Sequence, residues 1–200
     1  MSEPIRFYFD FSSPYGYLAT FRVEQLAQRH NRVVDWRPFL LGVAMRITGQ
    51  TPLVDQPLRG PYFRRDMARI ARELGAPFVF PESFPFHSVA ASRAFYWLKQ
   101  DSPQSAVALA RRILGAYWGE GRDVAKPSAV AAEAAAIGLD GAALEAALGT
   151  DAVKQRLKDE VQHALDRGIF GSPMFDIDGE LFWGCDKFDQ MERWLARGGW

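Results

Sequence analysis

The sequence predicts an α/β fold in which both ends of the chain build one mixed sheet of four strands and the middle forms an all-helical insertion. Three observations carry this. An alternating apolar strand near the N-terminus runs into a capped helix. A long middle stretch keeps only helical spacing. The apolar period then returns to two over residues 174–183, around an Asp-Gly turn.

Taken in order, Ile5, Phe7, Phe9 and Phe11 alternate with Arg6, Tyr8 and Asp10, the pattern of a strand. Ser13 follows at an N-cap position, with Pro14 at the first helical position. The helix after it would bury Tyr15, Leu18, Ala19, Val23, Leu26 and Ala27. Val33-Val34-Asp35-Trp36-Arg37 reads as a second strand ended by Pro38, and so long a crossover makes the pair parallel. Residues 42–60 are rich in Gly, Pro, Thr and Gln and read mostly as loop. Helical spacing resumes through Phe63, Met67, Ile70 and Leu74, closed by Gly75. After a break over 77–85, helices are predicted over 87–99, 105–118, 127–138, 140–149 and 150–168. Met174-Phe175-Asp176-Ile177 and Leu181-Phe182-Trp183 then flank Asp178-Gly179-Glu180 as a hairpin, and a last helix runs from about Asp186 to Arg197.

Composition narrows the function. Twenty-four basic residues balance twenty-four acidic ones, which gives no electrostatic reason to bind nucleic acid or an anionic membrane. No apolar run is long enough to span a bilayer, and Met1-Ser2-Glu3-Pro4 leads into strand rather than a signal sequence, so a cytoplasmic protein is expected. Cys185 is the single cysteine, which leaves no intrachain disulfide and no cysteine-based zinc cluster. His87 and His163 lack metal-ligand spacing and read as helix-surface residues, so no metal site is expected. Ser13 at the mouth of a helix leaving a buried strand is either a plain cap or a place to hold an anion, a thiolate included.

Four segments, in order, carry a family resemblance: Phe7-Tyr8-Phe9-Asp10-Phe11-Ser12-Ser13-Pro14-Tyr15, Tyr117-Trp118-Gly119-Glu120-Gly121, Gly168-Ile169-Phe170-Gly171-Ser172-Pro173-Met174-Phe175, and Phe182-Trp183-Gly184-Cys185-Asp186. With them the chain resembles the 2-hydroxychromene-2-carboxylate isomerases, which have a DsbA-like thioredoxin fold and are related to the kappa-class glutathione transferases. The resemblance implies a thioredoxin-like domain from 1–60 and 169–200, with a helical insertion domain over 61–168. Ser13-Pro14-Tyr15-Gly16 then occupies the place of the redox Cys-X-X-Cys motif, with no sulfur at either position, so dithiol exchange by the protein itself is closed.

The resemblance further implies glutathione as cofactor, with Ser13 donating a hydrogen bond to its thiolate, and a small aromatic catabolic intermediate as substrate. Ser172 and Pro173 match a cis-proline loop whose backbone would pair with glutathione, the plain alternative being the start of an edge strand. Cys185 and Asp186 match the segment that holds the γ-glutamyl end, the alternative for Asp186 being a helix N-cap. Cys185 departs from the Ser or Asn of relatives and is not expected to be a nucleophile. Gln50 and Arg59, in the long loop, would contact the glutathione backbone or its glycyl carboxylate; Arg59 stands where kappa-class relatives have lysine. Trp118 and Glu120 would close over the substrate side, against a core-packing alternative for Trp118. A homodimer is also implied. Two other functions stay open: a kappa-like transferase, which would consume glutathione, and a thioredoxin-like binding module without catalysis.

Overall fold

The computed structural model describes residues 3–200; Met1 and Ser2, at the start of the predicted sheet domain and leader-free N-terminus, lie outside the described residues. Strands β1 (Ile5–Phe9), β2 (Val34–Pro38), β3 (Met174–Ile177) and β4 (Glu180–Trp183) form one mixed sheet in the order β2-β1-β3-β4. β1 is parallel to β2, with Phe7 beside Trp36, and antiparallel to β3, with Phe7 beside Phe175. β3 and β4 make the predicted hairpin, and its turn residues Asp178 and Gly179 have φ of 54° and 94°. Positive φ at both positions is what a two-residue Asp-Gly turn requires.

This topology gives the sheet two unlike ends. β1, β2 and β4 run the same way and β3 opposes them. The segments 10–13, 39–41, 170–173 and 184–187 therefore converge at one end. At the other end lie Glu3, Arg32 and the 178–179 turn.

The core is aromatic. Phe7 stacks on Phe9 and Phe175 at 5.1 and 5.3 Å and meets Trp36 edge-on at 5.2 Å, arrangements that favour ring pairs beyond simple burial. Tyr8 is buried as well as its neighbours, so β1 is covered on both faces, as a central strand in a layered α/β fold is.

Helices surround the sheet: α1 (Pro14–Ala19), α2 (Val23–Arg29), α3 (Leu41–Thr48), α4 (Arg59–Leu74), α5 (Val89–Asp101), α6 (Pro103–Leu114), α7 (Pro127–Ala136), α8 (Gly141–Leu148), α9 (Asp151–Asp166) and α10 (Phe188–Arg197). The first predicted helix is in fact two. The Thr20 hydroxyl donates to the Tyr17 carbonyl at 2.7 Å, and the N–H groups of Thr20, Phe21 and Arg22 bond carbonyls three residues back. That tighter turn redirects the chain between α1 and α2. The predicted loop over 42–60 contains most of α3 and a 3₁₀ turn at Leu53–Asp55.

Helices α5 to α9 are inserted between β2 and β3 and share one apolar core with the sheet. Phe95 meets Phe9 edge-on at 6.4 Å, and the Tyr96 hydroxyl donates to the Pro38 carbonyl at 2.7 Å. The boundary expected at 60/61 falls in the first turn of α4.

Candidate active site

A cleft of about 1160 Å³ opens where the four strand ends converge. On one side it is walled by residues 10–15, 170–173 and 184–187, on the other by α3, the start of α4 and residues 84–89. Among the predicted site residues, Ser13, Gln50, Arg59, Ser172, Pro173, Cys185 and Asp186 all line it.

Ser13 caps α1: its Oγ accepts from the Gly16 N–H at 3.1 Å and donates to the Ser172 carbonyl at 3.0 Å. The Ser172–Pro173 bond is cis, as is Phe84–Pro85. The Ser172 hydroxyl accepts from the Asp10 N–H at 2.9 Å. A Cβ at Gly16 would lie 2.9 Å from that same hydroxyl oxygen. Thus Ser172 occupies the space a side chain at position 16 would need, and the second site of a dithiol pair is closed by packing as well as by composition. α1 is six residues long, so the polar group presented here is the hydroxyl rather than an extended helix dipole.

The C-terminal end of β4 brings Cys185 and Asp186 beside this serine loop. Gly184 has φ 112°, and a Cβ there would collide with Asp186 Oδ1, so the carboxylate folds back over a position only glycine can fill. Asp186 pairs with Lys187 and is not a helix cap: α10 begins at Phe188, with Lys187 in the N-cap position. Burial, followed by the charges of Asp186 and Asp66, pushes the Cys185 thiol up to about 12. At neutral pH this sulfur is protonated and a poor nucleophile.

Gln50 and Arg59 are exposed on the rim of the cleft. Gln50 follows the left-handed Gly49 that ends α3, and Arg59 Nη1 donates to Gln56 Oε1 at 3.1 Å.

Trp118 and Glu120, expected on the substrate side, do not line this cleft. A π-helical turn at Gly115–Gly119 extends α6 and drives Trp118 into the core, where it is fully buried. Its ring lies 5.4 Å from Phe84, and its Nε1–H donates to the Phe11 carbonyl at 3.0 Å, behind the serine loop. A large apolar ring with one satisfied N–H is more stable there than over an open cleft. Glu120 is exposed, bonded to Arg112 and Arg122, and lines a separate depression with Val79 and Glu82.

Other residues enter the cleft that sequence spacing does not single out. His87, read from sequence as a helix-surface residue, precedes α5 and lines the cleft. The Tyr15 hydroxyl donates to Asp66 Oδ2 at 2.8 Å. Burial and that carboxylate hold its phenol far above the usual range. Trp183 is half-exposed and packs edge-on to Phe170 at 4.9 Å; a Cβ at Gly171 would overlap its ring. Asp66 and Tyr15 are 51 residues apart in sequence, so only the packing of α4 on α1 pairs them. Among the described residues no group of His, Cys, Asp and Glu could hold a metal ion, and no helix is long and apolar enough to cross a membrane.

Comparison with known proteins bears on this site. Residues 4–196 match the DSBA-like thioredoxin domain model. A 2-hydroxychromene-2-carboxylate isomerase of Sphingobium xenophagum is 30% identical over 197 residues, covering 98% of this chain and 99% of that one. The solved structure of a 2-hydroxychromene-2-carboxylate isomerase superposes with a TM-score of 0.88 at 28% identity, covering 98% of this chain and 95% of that chain. Human glutathione S-transferase kappa 1 is 24% identical over 213 residues, covering 98% of this chain and 94% of that protein.

Proposed function

Because the chain belongs to the 2-hydroxychromene-2-carboxylate isomerase family of DSBA-like thioredoxin-domain enzymes, and is an isomerase, we propose that it carries out a glutathione-dependent cis–trans isomerisation of a small bicyclic aromatic carboxylate of that type. The observation that carries this reading is Ser13: a buried hydroxyl, on the cleft, held between a helix N-terminal amide and a cis-proline loop, in a motif that has no cysteine.

The residues present fit glutathione. The cleft exceeds the roughly 300–1,000 Å³ of an ordinary small-ligand site, which suits two ligands side by side. Glutathione, when bound, supplies a thiolate that adds to a conjugated carbon of the substrate and leaves unchanged once the intervening bond has turned. Ser13 is the donor to that sulfur. Its O–H points at the Ser172 carbonyl in the free protein, and one torsion re-aims it. A hydrogen bond to a charged acceptor is about twice as strong as the neutral one given up, so the exchange is favourable. Donation to the charged form lowers the thiol pKa and raises the thiolate fraction near neutral pH. Ser172 and Pro173 would align the peptide backbone beside that loop. Asp186 would exchange Lys187 for the α-ammonium of the γ-glutamyl group, and Arg59 and Gln50 at the rim would take the glycyl end. The aromatic substrate would lie against the wall made by α3 and residues 84–89.

The test is calorimetric titration with reduced glutathione, paired with thiolate absorbance and turnover of 2-hydroxychromene-2-carboxylate, for the parent and Ser13→Ala. The variant should keep glutathione affinity within a few-fold, lose the thiolate signal, and turn over about a hundredfold more slowly or worse. Equal activity in the two proteins would sink the proposal. The kappa-class similarity favours a second reading, transfer of glutathione to form a stable conjugate. Stoichiometry separates the two, since a transferase depletes glutathione as product forms and an isomerase does not.

A further inference from the structure

Asp10 belongs to the strand-loop motif yet has no part in the chemistry above. Its side chain is only 2% exposed, and among the described residues no Lys, Arg or His forms an ion pair with it. Neutral donors hold it instead. Oδ1 accepts from the Ser12 N–H at 2.8 Å and the Ser12 hydroxyl at 2.9 Å; Oδ2 accepts from the Leu41 N–H at 2.7 Å. Burial raises its pKa, and the Ser12 and Leu41 donors oppose that rise. Its main chain is equally engaged, with N–H to Ser172 Oγ at 2.9 Å and C=O from the Ser13 N–H at 2.9 Å.

One of these donors explains a gap elsewhere. Leu41 is the first residue of α3, a helix whose N-cap residue, Leu40, provides no side-chain bond. Helices normally satisfy their first N–H groups locally. Here α3 receives its cap from a residue 31 positions away. That helix start walls the side of the cleft facing Ser13. A buried carboxyl group without a cation is costly to ionise, so its place at this junction points to what it aligns rather than to stability.

We propose that Asp10 is a positioning residue: one carboxyl group clamps the Ser13 loop and the start of α3 together, and so sets the α3 part of the substrate wall at a fixed distance from the group Ser13 holds. The inference rests on the reading of that wall as the aromatic-substrate side. Asparagine at position 10 is nearly isosteric, but its NH₂ must face one of the donors now satisfied, which loosens one arm of the clamp.

Four readouts on Asp10→Asn test this: the Kd for reduced glutathione, kcat/KM for 2-hydroxychromene-2-carboxylate, the Tm, and amide hydrogen exchange at Ser12 and Leu41. Expected are a kcat/KM lowered by about 30- to 100-fold, the cost of a misplacement near one ångström, with glutathione Kd within threefold and Tm unchanged or higher. Exchange at Leu41 or Ser12 should quicken while the core amides do not. Turnover within twofold of the parent would overturn the clamp. So would glutathione affinity and Tm falling in step with turnover, which is the signature of a purely structural residue. Should Asp10→Asn not fold, Ser12→Ala removes the hydroxyl donor and keeps the Ser12 N–H: it should lower kcat/KM by about fivefold with Kd and Tm held, and full turnover refutes the proposal. If the parent neither binds glutathione nor isomerises the substrate, the proposed function fails; the exchange data then still decide whether the clamp exists.

Discussion

The two ends of the central strand pair each bury a carboxylate, and they do so in opposite ways. At the closed end Asp176, fully buried on β3, is gripped by Arg167, whose Nε lies 2.8 Å away; Arg6 approaches to 3.6 Å and the Gly179 N–H bonds at 3.0 Å. Beside it Arg32 pairs with Asp178 at 2.6 Å, which holds that carboxyl below its usual range. At the cleft end Asp10 has only neutral donors, and those donors belong to the segments that wall the cleft. Cations neutralise a buried charge and lock the chain around it. At Asp10 burial raises the pKa with no cation to oppose it, and its oxygens serve to hold several segments in register. The contrast separates a group retained for stability from one retained for alignment.

The largest expected effect that could break this contrast is Ser13→Ala, which should cost about a hundredfold or more in turnover with little change in Tm; a variant that lost stability instead would place Ser13 with the structural end. Next comes Asp10→Asn, with the 30- to 100-fold loss in kcat/KM argued above. At the closed end, Arg167→Ala should do the reverse. It leaves Asp176 with one distant cation, and since the arginine is half-exposed the loss should be about 2 kcal/mol in a urea melt, with kcat/KM within twofold. Activity falling more than stability there would dissolve the distinction.

Two smaller effects depend on pH. The Asp178 carboxyl is depressed by Arg32 in the folded chain, so its contribution is present above the ordinary carboxylate pKa and is lost as pH falls through the lower folded value. Arg32→Ala should therefore reduce stability at pH 7 slightly and flatten the acid side of a stability–pH curve. Cys185, pushed up to about 12, should alkylate with iodoacetamide at pH 8 roughly a thousandfold more slowly than a free thiol, rising about tenfold per pH unit. Rapid labelling at pH 8 would show that the Cys185 thiol ionises readily, against the effect of its burial.

Much of this architecture is local and therefore legible in the sequence. Alternation marks β1, Ser13-Pro14 marks the start of α1, Asp178-Gly179 marks the hairpin, and Asp140 and Thr150 cap their helices through bonds three residues long. Each of these is decided by sterics and hydrogen bonds within a few residues, which composition and spacing report directly. The resemblance carried by four short segments extends that to the family, because it names residues that meet only after folding. Elsewhere the deciding contacts are remote. Helix α3 hides in a Gly- and Pro-rich stretch because its cap comes from β1's end, and the break between α1 and α2 turns on one threonine hydroxyl.

The four strands, most of the helices, the sulfur-free Ser13-Pro14-Tyr15-Gly16 loop and the balance of charge are legible in the chain alone. The tertiary structure alone decided which polar groups share the cleft. It turned Trp118 inward, brought His87, Asp66 and Trp183 to the cleft wall, and gave Asp10 its partner at the start of α3. The reason is physical: a side chain's chemistry is written in its type, but its partners are set by strand direction and helix packing, which join residues far apart in the chain.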